Sequence, residues 1–284
     1  MNTQIMGFWG CMRVIAPALC LVTVVVSHAR SQIIDMSKYP NISGGWGRSE
    51  VYQWSRGEEP PLTPEYQKVY EASLADRKIG GHGTDTMYRC FPPGMPRVML
   101  VYSPMEIVIT PKTTYMLIDH IHDDRRIFTD GRGWPGDNFD PQFNGYSIGK
   151  WVDDDGDGKY DALAVETRLI KGPHTLDGAL PASTDGQMVV KERIYLDKAN
   201  AGILHDQITV IDHAYTRPWT IIKNYPRYSE PGPTGWPEEV CAEGQLWVTV
   251  GKEDYFLSPD GYLMPVKKGQ APPDLRYFKR AAGQ

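Results

Sequence analysis

The chain lacks a cluster of basic residues. Its 284 residues include 35 acidic and 30 basic side chains, which give a formal net charge of -5 at pH 7. Nucleic-acid-binding domains usually gather Lys and Arg on one face, so we expect no nucleic-acid partner. The sequence also has no glycine-rich phosphate loop, no nucleophile elbow and no haem-attachment motif. We therefore predict no organic cofactor.

A hydrophobic run long enough to span a membrane is also missing. The apolar run from Val14 to Val26 follows Arg13 and has about 13 residues, whereas a membrane helix needs about 20. Ser27-His28-Ala29 fits the small-residue site at which signal peptides are cleaved. We predict a signal peptide over residues 1–29, no membrane span in the mature form, and a periplasmic or secreted protein. An uncleaved anchor is the alternative.

Cysteine is scarce, and two of the four cysteines lie in the predicted signal peptide. The sequence has four cysteines, of which Cys11 and Cys20 precede the cleavage site. Cys90 and Cys241 remain, and exported proteins rarely keep free thiols. A disulfide between them is the expected arrangement, and two buried free thiols are the alternative.

Helical patterns are rare too. An extended lead-in over residues 30–89 contains one predicted helix, at about 64–79, with Thr63 as its N-cap and Pro64 in its first turn. Gly80-Gly81 ends it. From Cys90 onward, short alternating segments separated by turn residues predict strands, listed here: Val98–Tyr102, Glu106–Thr110, Thr114–His122, Arg125–Thr129, Tyr146–Val152, Ala162–Ile170, Gln187–Leu196, Leu204–Asp212, Trp219–Tyr225, Leu246–Val250, Tyr255–Leu257 and Tyr262–Pro265.

Many short strands without helices between them predict antiparallel neighbours in a mainly β fold. A closed barrel removes the exposed edges of so large a sheet, so we favour a lipocalin-like barrel over residues 90–268. A β-sandwich is the alternative. Residues 269–284 are rich in proline and charge and are expected to form a surface tail.

The sequence contains four distinctive motifs, which are Cys90-Phe91-Pro92-Pro93-Gly94-Met95-Pro96-Arg97, Arg125-Arg126-Ile127-Phe128-Thr129-Asp130-Gly131-Arg132, Ser147-Ile148-Gly149-Lys150-Trp151 and Thr216-Arg217-Pro218-Trp219. Together they resemble the motifs of a large family of secreted bacterial proteins from proteobacteria and acidobacteria. The resemblance covers most of the mature chain and implies export, but no particular chemistry. Family members often have a short turn where this chain has the longer loop 153–161.

That acidic loop has the spacing of a calcium site. Asp153, Asp155 and Asp157 occupy positions 1, 3 and 5 of a calcium-loop pattern, the Lys159 carbonyl falls at position 7 and Asp161 at position 9. Position 12 departs from the pattern, because Ala164 replaces the usual glutamate. The sequence therefore predicts a structural Ca²⁺ site, with a solvated acidic turn as the alternative.

Two carboxylates are expected on the inner face of one hairpin. If Leu196 pairs with Leu204, alternation places Glu192 diagonal to Asp206, about 7–8 Å away on the apolar face. Inward carboxylates need pairing, hydrogen bonds or protonation, and such environments suit general acid–base catalysis. Glu192 and Asp206 are therefore candidate catalytic residues. The alternative is a structural pair between Glu192 and an arginine such as Arg125 or Arg217.

Other polar residues are candidates for binding. Asp119, Arg125 and Arg217 are the candidate ligand-binding residues, since arginines hold carboxylates and phosphates well. His120 and His122 share one face of their predicted strand, but without a third ligand they predict surface histidines rather than zinc.

Three functions remain open. The protein binds a small apolar or aromatic molecule between walls of Tyr, Trp and Met, or it is a cofactor-independent isomerase, lyase or hydrolase that uses Glu192 and Asp206, or it is a structural envelope protein. We favour the first. The sequence does not decide whether the protein is an enzyme, nor its oligomeric state.

Overall fold

The computed structural model describes residues 34–47, 54, 60–100, 104–118, 124–228, 240–241 and 246–274. Within these ranges the fold is mainly β, with one α-helix, α1 (Pro64–Lys78). Nine strands form the main sheet, as follows: β1 (Gly44–Trp46), β2 (Met105–Ile109), β3 (Thr113–Ile118), β4 (Arg125–Phe128), β5 (Tyr146–Val152), β6 (Ala162–Arg168), β7 (Val189–Leu196), β8 (Ile203–Ile211) and β9 (Trp219–Pro226).

The nine strands form a nearly closed barrel in which each strand lies beside the next one in sequence. Its first strand also contacts the end of its last, because Trp46 bridges Arg227 in antiparallel fashion. The Gly47 amide donates to the Pro226 carbonyl at 2.7 Å, and the Tyr228 amide donates to the Gly45 carbonyl at 3.0 Å. The expectation of a barrel rather than a sandwich is therefore confirmed.

One pair of strands departs from the antiparallel pattern. β4 and β5 run parallel, with Ile127 opposite Ser147 and Phe128 opposite Ile148. A parallel pair requires a connection of about a dozen residues or more, which the segment 129–145 provides. Because both strands begin at the same edge, the residues that precede β4 and β5 are brought together.

Alternation along the strands builds the core. In β9 every second residue is buried, from Trp219 to Tyr225, and β8 and β7 show the same period of two. The buried side chains from all parts of the barrel form one apolar cluster that includes Met116, Ile127 and Ile208. The inner face of the sheet is thus filled mainly by aliphatic and methionine side chains.

The helix begins as its sequence indicates. The Thr63 hydroxyl accepts a hydrogen bond from the Tyr66 amide, and Pro64 occupies the first turn, where a missing N–H costs nothing. The Thr63 amide donates to the Ala214 carbonyl at 2.9 Å, which ties the start of the helix to the β8–β9 connection. Among the described residues, none of the helices is both long and apolar enough to cross a membrane.

One predicted strand is wrong. Arg97–Leu100 forms a buried 3₁₀ turn instead of the start of a strand over Val98–Tyr102. The Val98 amide donates to Gly94 and the Met99 amide to Pro96, so local turn hydrogen bonds replace a strand ladder. A short apolar run fits a buried turn as well as a strand, which explains the error. Residues 101–103 lie outside the described ranges.

The three predicted strands nearest the C-terminus form a separate sheet. β10 (Trp247–Val250), β11 (Glu253–Leu257) and β12 (Leu263–Pro265) pair in antiparallel order. The Lys268 amide donates to the Ile79 carbonyl at 2.8 Å, so the chain after this sheet contacts the end of α1.

Candidate functional site

The inner carboxylates lie where the hairpin register predicts them. Leu196 pairs with Leu204 in β7–β8, which places Glu192 opposite Ile208 and Asp206 opposite Ile194. Both acidic side chains therefore project from the buried face, one step apart along the diagonal. Asp206 is fully buried and Glu192 is 4% exposed.

Glu192 is paired with an arginine from a strand that is not its neighbour. Arg125 Nη1 donates to Glu192 Oε1 at 2.7 Å, and Arg125 Nη2 donates to Glu192 Oε2. The same Nη2 reaches the Thr167 hydroxyl at 3.1 Å. Burial opposes the charge on Arg125, but the Glu192 carboxylate outweighs this effect, and the pKa of Arg125 rises. This ion pair, in which both guanidinium nitrogens contact the carboxylate, is the arrangement expected if Glu192 has a structural and not a catalytic role.

Asp206 has a different environment from Glu192. Neither of its carboxylate oxygens meets a hydrogen-bond donor. Burial, reinforced by the negative charge of Glu192, raises the pKa of Asp206 well above 3.8, although Arg125 acts in the opposite direction. The neighbouring Glu192 side chain acts in the same direction as burial. Asp206 is therefore a buried carboxyl group beside an ion pair, and its surroundings favour the protonated form more than water does.

The three groups have little contact with solvent. The Arg125 side chain is 1% exposed and the Glu192 side chain 0%. General acid–base catalysis requires a substrate within hydrogen-bond reach of the acid and the base. In this closed arrangement the groups face one another and the barrel core, so the catalytic role of Glu192 and Asp206 stays a prediction.

The candidate binding residues do not form one group. Arg125 lies inside the barrel, whereas Arg217 is exposed on the connection between β8 and β9. Asp119 lies outside the described residues, as do His120 and His122. The structure therefore brings Arg125 to Glu192 but does not bring Arg217 to either of them.

The acidic loop gathers three of its carboxylates. One oxygen from each of Asp153, Asp155 and Asp161 lies within 4.8 Å of the others. Asp157 is outside this group and accepts a hydrogen bond from the Lys159 amide at 2.8 Å. Oxygen ligands of this kind suit a hard cation such as Ca²⁺, which takes six to eight of them. The carboxylates of Asp153, Asp155 and Asp161 therefore fit a Ca²⁺ ion, whereas the Asp157 carboxylate does not point towards the same position.

Backbone hydrogen bonds hold the loop in this shape. The two oxygens of Asp153 accept from the Gly156 and Gly158 amides at 2.7 and 2.9 Å. Both glycines have positive φ, 77° and 85°, which other residues adopt only with strain. The converging carboxylates are therefore a consequence of the turn sequence.

A cavity that the sequence analysis did not predict lies at the parallel β4–β5 pair. It has a volume of about 290 Å³, and its lining is Asp124, Arg125, Arg126, Phe128, Phe139, Gln142, Asn144, Gly145 and Tyr146. Arg126, Phe128 and Tyr146 alternate with the buried residues of their strands, so they belong to the outer face of the barrel. The cavity is therefore formed between the sheet and the 129–145 connection.

Aromatic rings make up one wall of this cavity. The Tyr146 ring lies 4.9 Å from Phe128 and 5.2 Å from Phe139, measured between centroids. The Arg132 guanidinium stacks over Phe128 at 3.9 Å from the ring centre. The motif Arg125–Arg132 contains Arg126 and Phe128, so a signal for this site was present in the sequence, although it did not indicate a cavity.

A second, smaller cavity lies where the 170–188 connection meets the barrel. It has a volume of about 220 Å³, and its lining includes His174, Ser183 and Asp185. The Ser183 hydroxyl lies 2.9 Å from carboxylate oxygens of both Asp212 and Asp185. This polar network ties the connection to the end of β8.

Cys90 and Cys241 form a disulfide, with their Cα atoms 5.7 Å apart. The bond joins residues that are 151 positions apart. It links the segment between α1 and β2 to the segment that precedes the small C-terminal sheet.

No family model, curated protein or solved structure matches this chain.

Proposed function

We propose that this protein binds a small aromatic molecule in the cavity at the β4–β5 pair. The observation that carries the proposal is the aromatic wall formed by Phe128, Phe139 and Tyr146 around an open volume of about 290 Å³. Ligand sites are typically concave, rich in apolar and aromatic side chains, and supplied with a few polar groups. This cavity combines three aromatic side chains with a larger number of polar ones.

The size of the cavity limits the ligand. Sites for drug-sized molecules have volumes of roughly 300–1,000 Å³, so this cavity suits a ligand with a single ring. Offset and edge-to-face ring contacts contribute about 0.5–1.5 kcal/mol each beyond burial. An aromatic ligand therefore gains more here than an aliphatic one of equal size.

Two further elements belong to the proposal. The protein acts outside the cytoplasm, which the Cys90–Cys241 disulfide supports, because disulfides persist mainly in oxidising compartments. The Asp153–Asp161 loop binds Ca²⁺ as a structural ion, which is supported by the convergence of Asp153, Asp155 and Asp161.

The test of ligand binding compares ring compounds with saturated analogues. Benzyl alcohol and cyclohexylmethanol are titrated separately into the protein while protein-detected NMR spectra are recorded. We expect saturable shifts with benzyl alcohol and weaker binding of cyclohexylmethanol. Phe139→Ala removes part of the aromatic wall and should weaken the binding of benzyl alcohol.

The control is Arg193→Gln. Arg193 lies on the outer face of β7, where it pairs with Asp154, and it is not part of the cavity lining. Its replacement should leave the affinity unchanged. Equal affinity for the aromatic and saturated alcohols, or no effect of Phe139→Ala, would contradict the proposed function.

A further inference from the structure

The aromatic cavity also contains charges of both signs. Asp124 and Arg126 line it together with the amide side chains Gln142 and Asn144. Arg126 belongs to the outer face of β4, as does Phe128, and Asp124 is two residues before Arg126. Residues at this spacing along an extended chain share a face and lie about 7 Å apart. The Asp124 carboxylate, the Arg126 guanidinium and the Phe128 ring therefore follow one another on the same face of the extended chain.

These two charges do not neutralise each other. Among the described residues, no ion pair within 4.0 Å involves Asp124 or Arg126, although other exposed acids and bases form such pairs, including Asp130 with Arg132 and Glu166 with Arg168. Asp124 and Arg126 are both exposed, so neither carries the cost of a buried charge. As far as the described residues go, both side chains are therefore open to groups on a ligand.

We propose that the ligand of this cavity is a free aromatic α-amino acid. In this arrangement its carboxylate is held by Arg126, its ammonium group by Asp124, and its ring by Phe128, Phe139 and Tyr146. The inference rests on the proposed function, since it names the chemical class of the aromatic ligand.

The charge pattern is what selects this class. A purely anionic aromatic ligand pairs with Arg126 but meets repulsion from Asp124, and a purely cationic one has the reverse difficulty. A zwitterion satisfies both groups, and an arginine holds a carboxylate through two parallel hydrogen bonds. The Gln142 amide offers both a donor and an acceptor to the same polar head.

The test uses three ligands that share one ring. L-phenylalanine has both charged groups, 3-phenylpropanoate lacks the amine, and 2-phenylethylamine lacks the carboxylate. Each is titrated into the disulfide-bonded full chain, with NMR shifts as the measure of affinity. A ligand of this size in an open cavity is expected to bind with a Kd on the order of 1 mM. L-phenylalanine should bind about fivefold more tightly than either analogue.

Two variants assign each charge. Asp124→Asn should remove the preference for L-phenylalanine over 3-phenylpropanoate, and Arg126→Gln should remove its preference over 2-phenylethylamine. Both side chains are exposed, so the variants are expected to fold. Asp260→Asn, an exposed acid in the turn before β12, is the matched control for Asp124→Asn, and Arg193→Gln is the control for Arg126→Gln. Both controls should keep the wild-type preferences.

Each result separates the two proposals. Equal affinity for the three ring compounds overturns the amino-acid inference and leaves aromatic binding in place. Tighter binding of either analogue than of L-phenylalanine also overturns the inference. If none of the three compounds binds, the amino-acid inference is overturned, and the benzyl alcohol titration decides the proposed function separately. If both variants keep the preference for L-phenylalanine, other residues recognise its charged groups. That result overturns the assignment of Asp124 and Arg126.

Discussion

Arg125 and Glu192 form a two-pronged ion pair inside the barrel, although they are 67 residues apart in the sequence. Arg125 belongs to β4 and Glu192 to β7, so the pair crosses the interior between strands that are not neighbours. Removing two charges from water costs several kcal/mol each, and their attraction offsets this cost only when the geometry is good and the remaining donors are satisfied. Here Ser147 and Thr167 accept further hydrogen bonds from Arg125, whereas its buried Nε meets no acceptor among the described residues.

The first prediction concerns that pair. Arg125→Met should lower the free energy of unfolding by about 3–5 kcal/mol, because it leaves the Glu192 charge buried without a partner. The double variant Arg125→Met/Glu192→Leu should recover most of the loss, since it removes both charges. Urea denaturation of the wild type and the two variants measures the effect. A double variant that is no more stable than Arg125→Met would show that the pair is not the source of the loss.

The second prediction concerns the pH dependence that Asp206 produces. Burial raises its pKa above 3.8 in the folded protein, so between 3.8 and the folded pKa the native state holds a proton that the unfolded chain has released. Stability then falls as pH rises through this window, because the native state binds more protons. Asp206→Asn removes the effect. We therefore compare the free energies of unfolding of the variant and the wild type. The value for the variant minus the value for the wild type should increase as the pH rises above 3.8.

Urea denaturation at a series of pH values measures this difference. Other carboxyl groups titrate in both proteins, so only the difference between variant and wild type reports on Asp206. Asp260→Asn replaces an exposed acid and is the control for the loss of one carboxylate from the chain. A decrease in the Asp206→Asn difference with rising pH would mean that the native state favours the ionised form of Asp206.

The pairing of Glu192 with its surroundings was partly predictable from the sequence. The alternation in β7 and β8 and the short turn between Leu196 and Leu204 define the register, and the structure has that register. The partner of Glu192 was only one of two suggested arginines, because alternation within a strand does not say which distant strand lies across the barrel. Arg125 reaches Glu192 because the sheet curves into a barrel.

The cavity at the β4–β5 pair was not predictable in the same way. Sequence alternation places Arg126 and Phe128 on one face of β4, but that face would be open to solvent in an antiparallel meander. The parallel pairing of β4 with β5 makes the 129–145 connection return to the starting edge, and this brings Phe139 and Gln142 over the strand. Strand direction depends on contacts distant in sequence, so local patterns did not reveal it.

The third prediction concerns calcium. Removal of Ca²⁺ with a chelator should lower the melting temperature by about 3–5 °C, the shift expected when the free ion is roughly tenfold above its Kd. Asp155→Asn should abolish the difference, because Asp155 belongs to the converging group. Asp157→Asn should have a smaller effect, because its carboxylate lies outside that group. Thermal unfolding with calcium and with chelator measures each variant.

Asp154→Asn is the matched control for the calcium experiment. Asp154 is in the same loop, but its carboxylate pairs with Arg193 and is not part of the converging group. The variant should keep the wild-type response to chelation. Identical melting curves of the wild type with calcium and with chelator would make the loop an ordinary acidic turn.

The last prediction concerns the disulfide. Replacing both Cys90 and Cys241 with alanine removes a cross-link between residues 151 positions apart. The chain-entropy model gives about 5 kcal/mol for such a loop, which is an upper figure, because residual structure in the unfolded chain reduces the gain. Urea denaturation should show a lower midpoint for the double variant and a larger dependence on urea, since the unfolded chain becomes more extended. A variant as stable as the wild type would mean that the barrel region already restrains both positions without the bond.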